Sequence, residues 1–372
     1  MKIQEIDRNF AVEHLDENGI RWIDAFSPEV ALRGLAWLEE NRATRSFRRC
    51  PERAACTLSE AVQSLTHCPS SAFVAFRTDS AVISVHMRNA ACPAMAHMPG
   101  SGCAGAELYV REGTRWVPIA VAIPDGQTAD FRRELVKGNW REMREYRLYL
   151  PLYMRLNELA VGIEAGAAIA PLPAPEGQKP IFFYGTSITQ GGCASTAGSD
   201  YVSIVGRLLE NEVVNFGFSG SGKGEPEVAR LIREIDAAMF VLDYAANATP
   251  ELLAQTLPPF VRILREAHPT TPIILMGPIG KDRSLRDSDY DKILDGRRDV
   301  TMDFYLRAKA AGDREIYFID GFGLVQPGIS GLYCDGVHPT SAGFAQIAER
   351  LAPHLTAIGL WRRLRASAAP AA

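Results

Sequence analysis

Apolar and polar residues alternate along residues 73–88 in two short runs separated by Thr78-Asp79-Ser80. In the second run Ile83, Val85 and Met87 alternate with Ser84, His86 and Arg88, the period of a strand with one buried face. Residues 107–110 and 116–121 flank Arg111-Glu112-Gly113-Thr114-Arg115, a hairpin pattern. Further strands are predicted over 146–152 and 159–163, and a helix over 28–40. Many short strands with turns between them predict an antiparallel β-sandwich.

The second half alternates on a longer period. Strand-like runs at 181–184, 212–216, 239–243, 272–276 and 315–319 are interleaved with helical patterns at 201–210, 225–235, 250–267 and 297–311, and a last helix is predicted over 341–355. Such alternation predicts a parallel sheet covered by helices on both faces, with chemistry at the carboxyl ends of its strands. The charged stretch 285–297 reads as a solvated connection, with a lid as the sharper alternative. Between the halves, residues 165–177 are small, proline-rich and aperiodic. The expected organisation is a sandwich over 1–170, a linker over 171–179, a catalytic α/β domain over 180–365 and a flexible tail over 366–372.

Composition narrows the function. At roughly 150 residues per domain, 372 residues make about two domains. With 40 Lys and Arg against 44 Asp and Glu, the net charge of −4 offers no basic field for nucleic acid. No apolar run reaches the roughly 20 residues of a membrane helix, and Met1 to Asp7 show no signal-peptide core. A cytoplasmic protein with neither nucleic-acid nor membrane partners is expected. The seven cysteines are odd in number and have no CxxC spacing, so neither a disulfide framework nor a zinc cluster is expected. Cys193 and Cys334, both near motifs described next, read as small buried filler.

Four weak signals fall at strand ends or before the last helix. Tyr184-Gly185-Thr186-Ser187-Ile188-Thr189-Gln190-Gly191-Gly192 puts a serine at the carboxyl end of a buried strand, and its spacing does not fit a phosphate loop. Asn215-Phe216-Gly217-Phe218-Ser219-Gly220-Ser221-Gly222 and Leu242-Asp243-Tyr244-Ala245-Ala246-Asn247-Ala248 follow the next two strands. A glycine N–H and an asparagine amide are both good oxyanion donors, although Asn247 also suits a helix cap. In Asp335-Gly336-Val337-His338-Pro339 a carboxylate three residues before a histidine can turn back to its ring and hold its tautomer. His338 would then be the base for Ser187. The other histidines (14, 67, 86, 97, 268 and 354) have no such neighbour in sequence.

Jointly, these blocks resemble the SGNH (GDSL) hydrolase superfamily over roughly residues 180–360. The resemblance implies a flavodoxin-like three-layer domain with a five-stranded parallel sheet. It also implies Ser187 as nucleophile, Asp335 and His338 as its partners, and Ser187 N–H, Gly220 and Asn247 as oxyanion donors. Thr186 stands where the family has Asp, and Ala245 and Ala248 replace the Gly and Asp of Gly-x-Asn-Asp. Gly217 and Gly222 compete with Gly220 for the donor role. Gly105-Ala106-Glu107-Leu108-Tyr109 and Tyr149-Leu150-Pro151-Leu152-Tyr153 resemble a two-domain subgroup with a jelly-roll-like sandwich in front. That subgroup is similar to an aromatic acyltransferase that decorates tetracycline-type polyketides with a salicylyl group.

The implied function is acyl transfer through acyl-Ser187, from a small ester or thioester to a small-molecule hydroxyl or to water. Carbohydrate O-acetyl esterase and catalytically dead carbohydrate binder are the alternatives. No metal or organic cofactor is expected, with acyl-CoA or another thioester as an admissible co-substrate. The sandwich is expected to pack on the catalytic domain and shape its cleft.

Overall fold

The computed structural model describes residues 16, 19–138 and 140–368. Residues 1–15 and 369–372, which include the start and most of the expected tail, lie outside the described residues. The front half is two antiparallel sheets. One has four strands in the order β1 (Ile20–Asp24), β9 (Leu156–Glu164), β4 (Val82–Asn89), β7 (Asp130–Lys137). The other runs β10 (Ile169–Pro171), β3 (Phe73–Thr78), β8 (Arg144–Tyr149), β5 (Ala106–Glu112), β6 (Arg115–Ala122), with β2 (Ala31–Arg33) paired to β3. The alternation in β4 does what it predicts: Ile83, Val85 and Met87 enter the core between the sheets with Val74, Phe76, Leu108, Val110, Leu148, Val161 and Ile163. Burying each such side chain contributes roughly 1.5–3 kcal/mol.

Period two also decides what β5 shows to the rest of the chain. Leu108 and Val110 point into the sandwich, so Glu107 and Tyr109 point out of it. There Tyr109 joins Phe73, Tyr149 and Ala197 in a second apolar cluster against the other half. The helix expected over 28–40 is absent. Residues 31–33 pair with β3 instead, and the left-handed Gly34 (φ +83°) interrupts any helix, leaving one turn at Leu38–Asn41. Residues 169–171, expected in the connection, add an edge strand.

The second half is a parallel sheet of five strands in the order β12 (Val213–Gly217), β11 (Ile181–Gly185), β13 (Met239–Asp243), β14 (Ile273–Met276), β15 (Ile316–Ile319). This is the flavodoxin-like order, and its switch point lies between the first and third strands of the sheet, β11 and β13. The strands are buried on both faces. Phe182, Tyr184, Phe216, Phe240 and Leu242 pack under helices Pro226–Ile232 and Pro250–Ala267; Phe183, Val241, Ile274 and Met276 pack under Tyr201–Leu208 and Ser341–Ala368. The front half enters both layers: Trp37, Cys50, Leu58 and Val62 join the first, and Met98, Cys103 and Leu152 the second.

Two helices exceed expectation. Residues 288–297, read as part of a charged connection, are the first turns of helix Ser288–Ala310, capped by the Asp287 carboxylate on the Tyr290 N–H at 3.0 Å. Its buried residues are only Leu294, Arg297 and Thr301, so its apolar stripe is too thin to register as a period. The last helix continues to Ala368, past its expected end at 355. Among the described residues no helix is long and apolar enough to cross a membrane.

Candidate active site

β11 ends at Gly185 and the chain turns at once into the short helix Ser187–Gln190. Thr186 caps it, its hydroxyl accepting the Ile188 N–H at 3.2 Å while Thr189 Oγ1 accepts the Thr186 N–H at 3.1 Å. A Cβ on residue 185 would lie 1.9 Å from Thr189 Oγ1, so this closure requires glycine. Ser187, 9% exposed, thereby stands at the top of the sheet beside the switch point.

The structure brings Ser187, His338 and Asp335 together. Ser187 Oγ is 2.9 Å from His338 Nε2, and His338 Nδ1 is 2.8 Å from Asp335 Oδ2. The second carboxylate oxygen accepts the N–H groups of Val337 and His338 at 2.9 and 2.8 Å. Partial burial pushes the Asp335 carboxyl up, but the His338 backbone and ring and the Val337 N–H outweigh it and hold it at about 2. An ionised carboxylate only accepts, so Nδ1 carries the ring proton. Nε2 is then the acceptor for the Ser187 hydroxyl.

The three loops around Ser187 are wired to one another. Gln190 Oε1 accepts the Ser219 N–H at 3.0 Å, and Asn247 Nδ2 donates to the Phe218 carbonyl at 3.2 Å, leaving its second hydrogen unspent. Of the competing glycines, Gly217 N–H is bound by Asn215 Oδ1 at 2.9 Å and Gly222 N–H by the Phe218 carbonyl at 3.0 Å. Gly220 is exposed, sits at φ +66°, and its N–H makes no hydrogen bond among the described residues.

Several further residues reach the site: Arg49 gave no signal in the sequence, while Tyr153, His97 and Asp243 were named there without a role at the site. Arg49, 1% exposed, reaches from the front half to the end of β12: Nη1 donates to the carbonyls of Asn215 and Gly217 at 3.0 and 2.8 Å, and Nη2 to Leu65 at 2.8 Å. Its guanidinium also lies 4.9 Å from the Phe218 ring. Tyr153 donates to the Ser187 carbonyl at 3.1 Å, and His97 faces His338 with ring centres 6.2 Å apart. Beneath the serine, Asp243 takes hydrogen bonds from Thr189 and Tyr201, both at 2.8 Å. Burial outweighs these bonds and the charge of Lys281, raising the Asp243 carboxyl to about 7.

Two expectations are corrected. Cys334 is exposed rather than buried; its thiol donates to the His97 carbonyl at 3.4 Å and lies against Cys193, which is buried. Its N–H pairs with the His338 carbonyl at 2.9 Å in the loop that carries Asp335 and His338. His86 does have a carboxylate partner: across the strands, Asp130 meets its Nε2 at 2.7 Å on the outer face of the sandwich.

The Glu107 element acts as a clamp. Glu107 Oε2 accepts the Gly198 N–H at 2.9 Å, and Arg207, 4.2 Å from the Tyr109 ring, donates to the Gly198 carbonyl at 2.7 Å. Gly198 thus ties the front sandwich to the loop after Ser187. Among the described residues no group of three or more His, Cys, Asp or Glu is placed to hold a metal ion.

Comparison with known proteins agrees with this geometry. Residues 178–356 match the GDSL-like lipase/acylhydrolase family, and the chain is an enzyme of the SGNH (GDSL) hydrolase superfamily. Within it the chain belongs to the two-domain form, since residues 20–169 match the GxDLY domain that forms the N-terminus of SGNH-hydrolase-type esterases. A protein described as a GDSL-like lipase, from Bacteroides ovatus, superposes with a TM-score of 0.84 at 27% identity, over 91% of this chain and 98% of that one. A salicylyl-acyltransferase from a tetracycline biosynthetic pathway shares the fold with a TM-score of 0.75 at 21% identity, over 92% and 99%. A family two carbohydrate esterase from Cellvibrio japonicus does so at 0.58 and 14%, over 92% and 98%. No curated protein matches the chain in sequence.

Proposed function

We propose that the protein transfers an acyl group from a small ester or thioester, through acyl-Ser187, to the hydroxyl of a small molecule, and to water when no such acceptor is bound. The observation that carries this reading is the unbroken hydrogen-bonded chain from Ser187 Oγ through His338 to Asp335. His338 Nε2 takes the hydroxyl proton as Ser187 Oγ attacks the acyl carbonyl, and Asp335 stabilises the imidazolium. The N–H groups of Ser187 and Gly220 and the unspent Asn247 hydrogen receive the oxyanion. Collapse expels the alcohol or thiol, which takes the proton from His338. The acceptor hydroxyl then gives its proton to His338 as it attacks the acyl carbon, and collapse breaks the bond to Ser187 Oγ, which takes that proton back from His338. Every proton is accounted for on His338, so this route uses neither metal nor organic cofactor.

The surroundings of the serine support an alcohol as acceptor. Tyr153, His97 and the Gly198 clamp bring the front half to the edge of the site, and Ser187 is nine-tenths buried. Burial of the nucleophile to this extent favours a bound alcohol over bulk water. The likeness to the salicylyl-acyltransferase is in keeping with this reading. The deciding experiment is product analysis with an acyl thioester, with and without a hydroxylated acceptor. Acylated acceptor is the expected product; free acid in equal amount under both conditions makes the protein an esterase, of carbohydrate acetyl esters among others. Ser187→Ala is expected to lower turnover by several orders of magnitude without changing the melting temperature.

A further inference from the structure

We infer that Lys281 and Arg297 form a subsite for an anionic group of the substrate, a carboxylate or a phosphate, between the Asn247 loop and the His338 loop. This rests on the acyl-transfer reading above and names the chemistry of what is transferred or received.

Lys281 follows β14 and is 2% exposed. Its ammonium lies 6.0 Å from the centre of the Tyr290 ring and makes no hydrogen bond or ion pair among the described residues. Arg297, 9% exposed, comes from helix Ser288–Ala310. Its Nε donates to the Ala248 carbonyl at 2.7 Å, and its Nη1 is buried with no partner. The residue after Asn247 is Ala248, so no side-chain carboxylate at that position meets the guanidinium.

The position of these cations is fixed from both sides. Arg297 is held to the neighbour of Asn247. The Lys281 segment is held to the catalytic loop, because Arg283 N–H donates to the Gly336 carbonyl at 2.9 Å and the Tyr333 hydroxyl donates to the Gly280 carbonyl. Tyr290 faces Lys281, Arg283 and Arg297 together.

The surrounding charges do not neutralise the pair. Asp335 is committed to His338. Asp243 is occupied by Thr189 and Tyr201, and burial favours its neutral form. Arg283 is paired with Asp287 at 3.0 Å. Burial pulls the Lys281 ammonium down to about 8, with Arg297 adding to the effect and Asp243 and Asp335 opposing it. Two buried cations without an anion are costly on their own; Tyr290 hydrogen-bonds the guanidinium but carries no charge, and a ligand carboxylate or phosphate relieves the cost by ion pairing and a hydrogen bond from Arg297 Nη1.

The test compares p-nitrophenyl hemisuccinate with the uncharged p-nitrophenyl valerate. The wild type is expected to prefer the hemisuccinate in kcat/KM, and Lys281→Met and Arg297→Met to lower that preference about tenfold or more. Lys281→Arg should retain part of it. A merely structural role lowers both rates together, and an unchanged ratio overturns the proposal. Independently of any variant, succinate and inorganic phosphate should each slow fluorophosphonate labelling of wild-type Ser187, and the stronger protector identifies the anion. Protection by neither overturns the subsite. If no ester is cleaved and Ser187 does not label, the acyl-transfer reading fails; calorimetry with phosphate and succinate then decides the subsite alone, binding supporting it and none overturning it.

Discussion

Asn247 spends one amide hydrogen on Phe218 and keeps one for the site. Asn247→Ala is therefore expected to lower kcat by about 10²–10³-fold with little change in KM, since an oxyanion donor acts mainly in the transition state. An unchanged kcat in steady-state assays would remove Asn247 from the mechanism. Asp243 offers a test through stability. Its carboxyl rises from the ordinary 3.8 to about 7 in the fold, chiefly through burial. Below 3.8 both states are protonated; between 3.8 and 7 the native state holds a proton that the unfolded chain has lost, so stability falls as pH rises. Relative to wild type, Asp243→Asn should gain stability between about pH 5 and about pH 7.5 in urea unfolding; a constant difference contradicts this. Ser187, Asp335 and His338 were legible because each motif is local: a serine at a strand end, and a carboxylate three residues before a histidine. Which of the Gly217, Gly220 and Gly222 N–H groups stays unbonded was not legible, because it depends on which of them the folded loop has already used. Arg49 was invisible for a related reason, since the carbonyl it binds on Asn215 lies 166 residues away in sequence.

At the scale of elements, the end of β12 is held by a charge rather than by apolar packing alone. Arg49→Met removes the donor from three carbonyls and should destabilise by about 2–4 kcal/mol, read by urea unfolding. It should also slow fluorophosphonate labelling of Ser187, because the loop carrying Gly220 starts at those carbonyls. Loss of stability with an unchanged labelling rate would make Arg49 an anchor without influence on the site. The five parallel strands were legible because burial on both faces makes them continuous apolar runs. Helix Ser288–Ala310 was only half legible, since three buried residues in 23 leave little apolar period. The missing helix at 28–40 shows the converse. Its composition suits a helix, but pairing of residues 31–33 with β3 and the left-handed Gly34 override it.

Across the whole molecule, the two halves share their cores. Trp37 is 4% exposed, packs 5.5 Å from the Phe216 ring and donates to Glu234 at 3.2 Å. Trp37→Ala should cost roughly 3–5 kcal/mol although it lies in the front half and supports the catalytic sheet. For the same reason calorimetry should show one unfolding transition, and two separated transitions would contradict the shared core. Sequence patterning revealed both architectures, because each depends on its own periodicity. It did not reveal the joint between them, because Glu107, Gly198 and Arg207 meet only after both halves have folded.

The central claim is a covalent acyl group on one serine. Rapid acid quench after mixing the enzyme with a p-nitrophenyl ester, followed by peptide mass mapping, tests it directly. The acyl mass is expected on the peptide containing Ser187, and to vanish in Ser187→Ala. Turnover with no acyl mass at Ser187, or with the mass on another residue, would contradict the account.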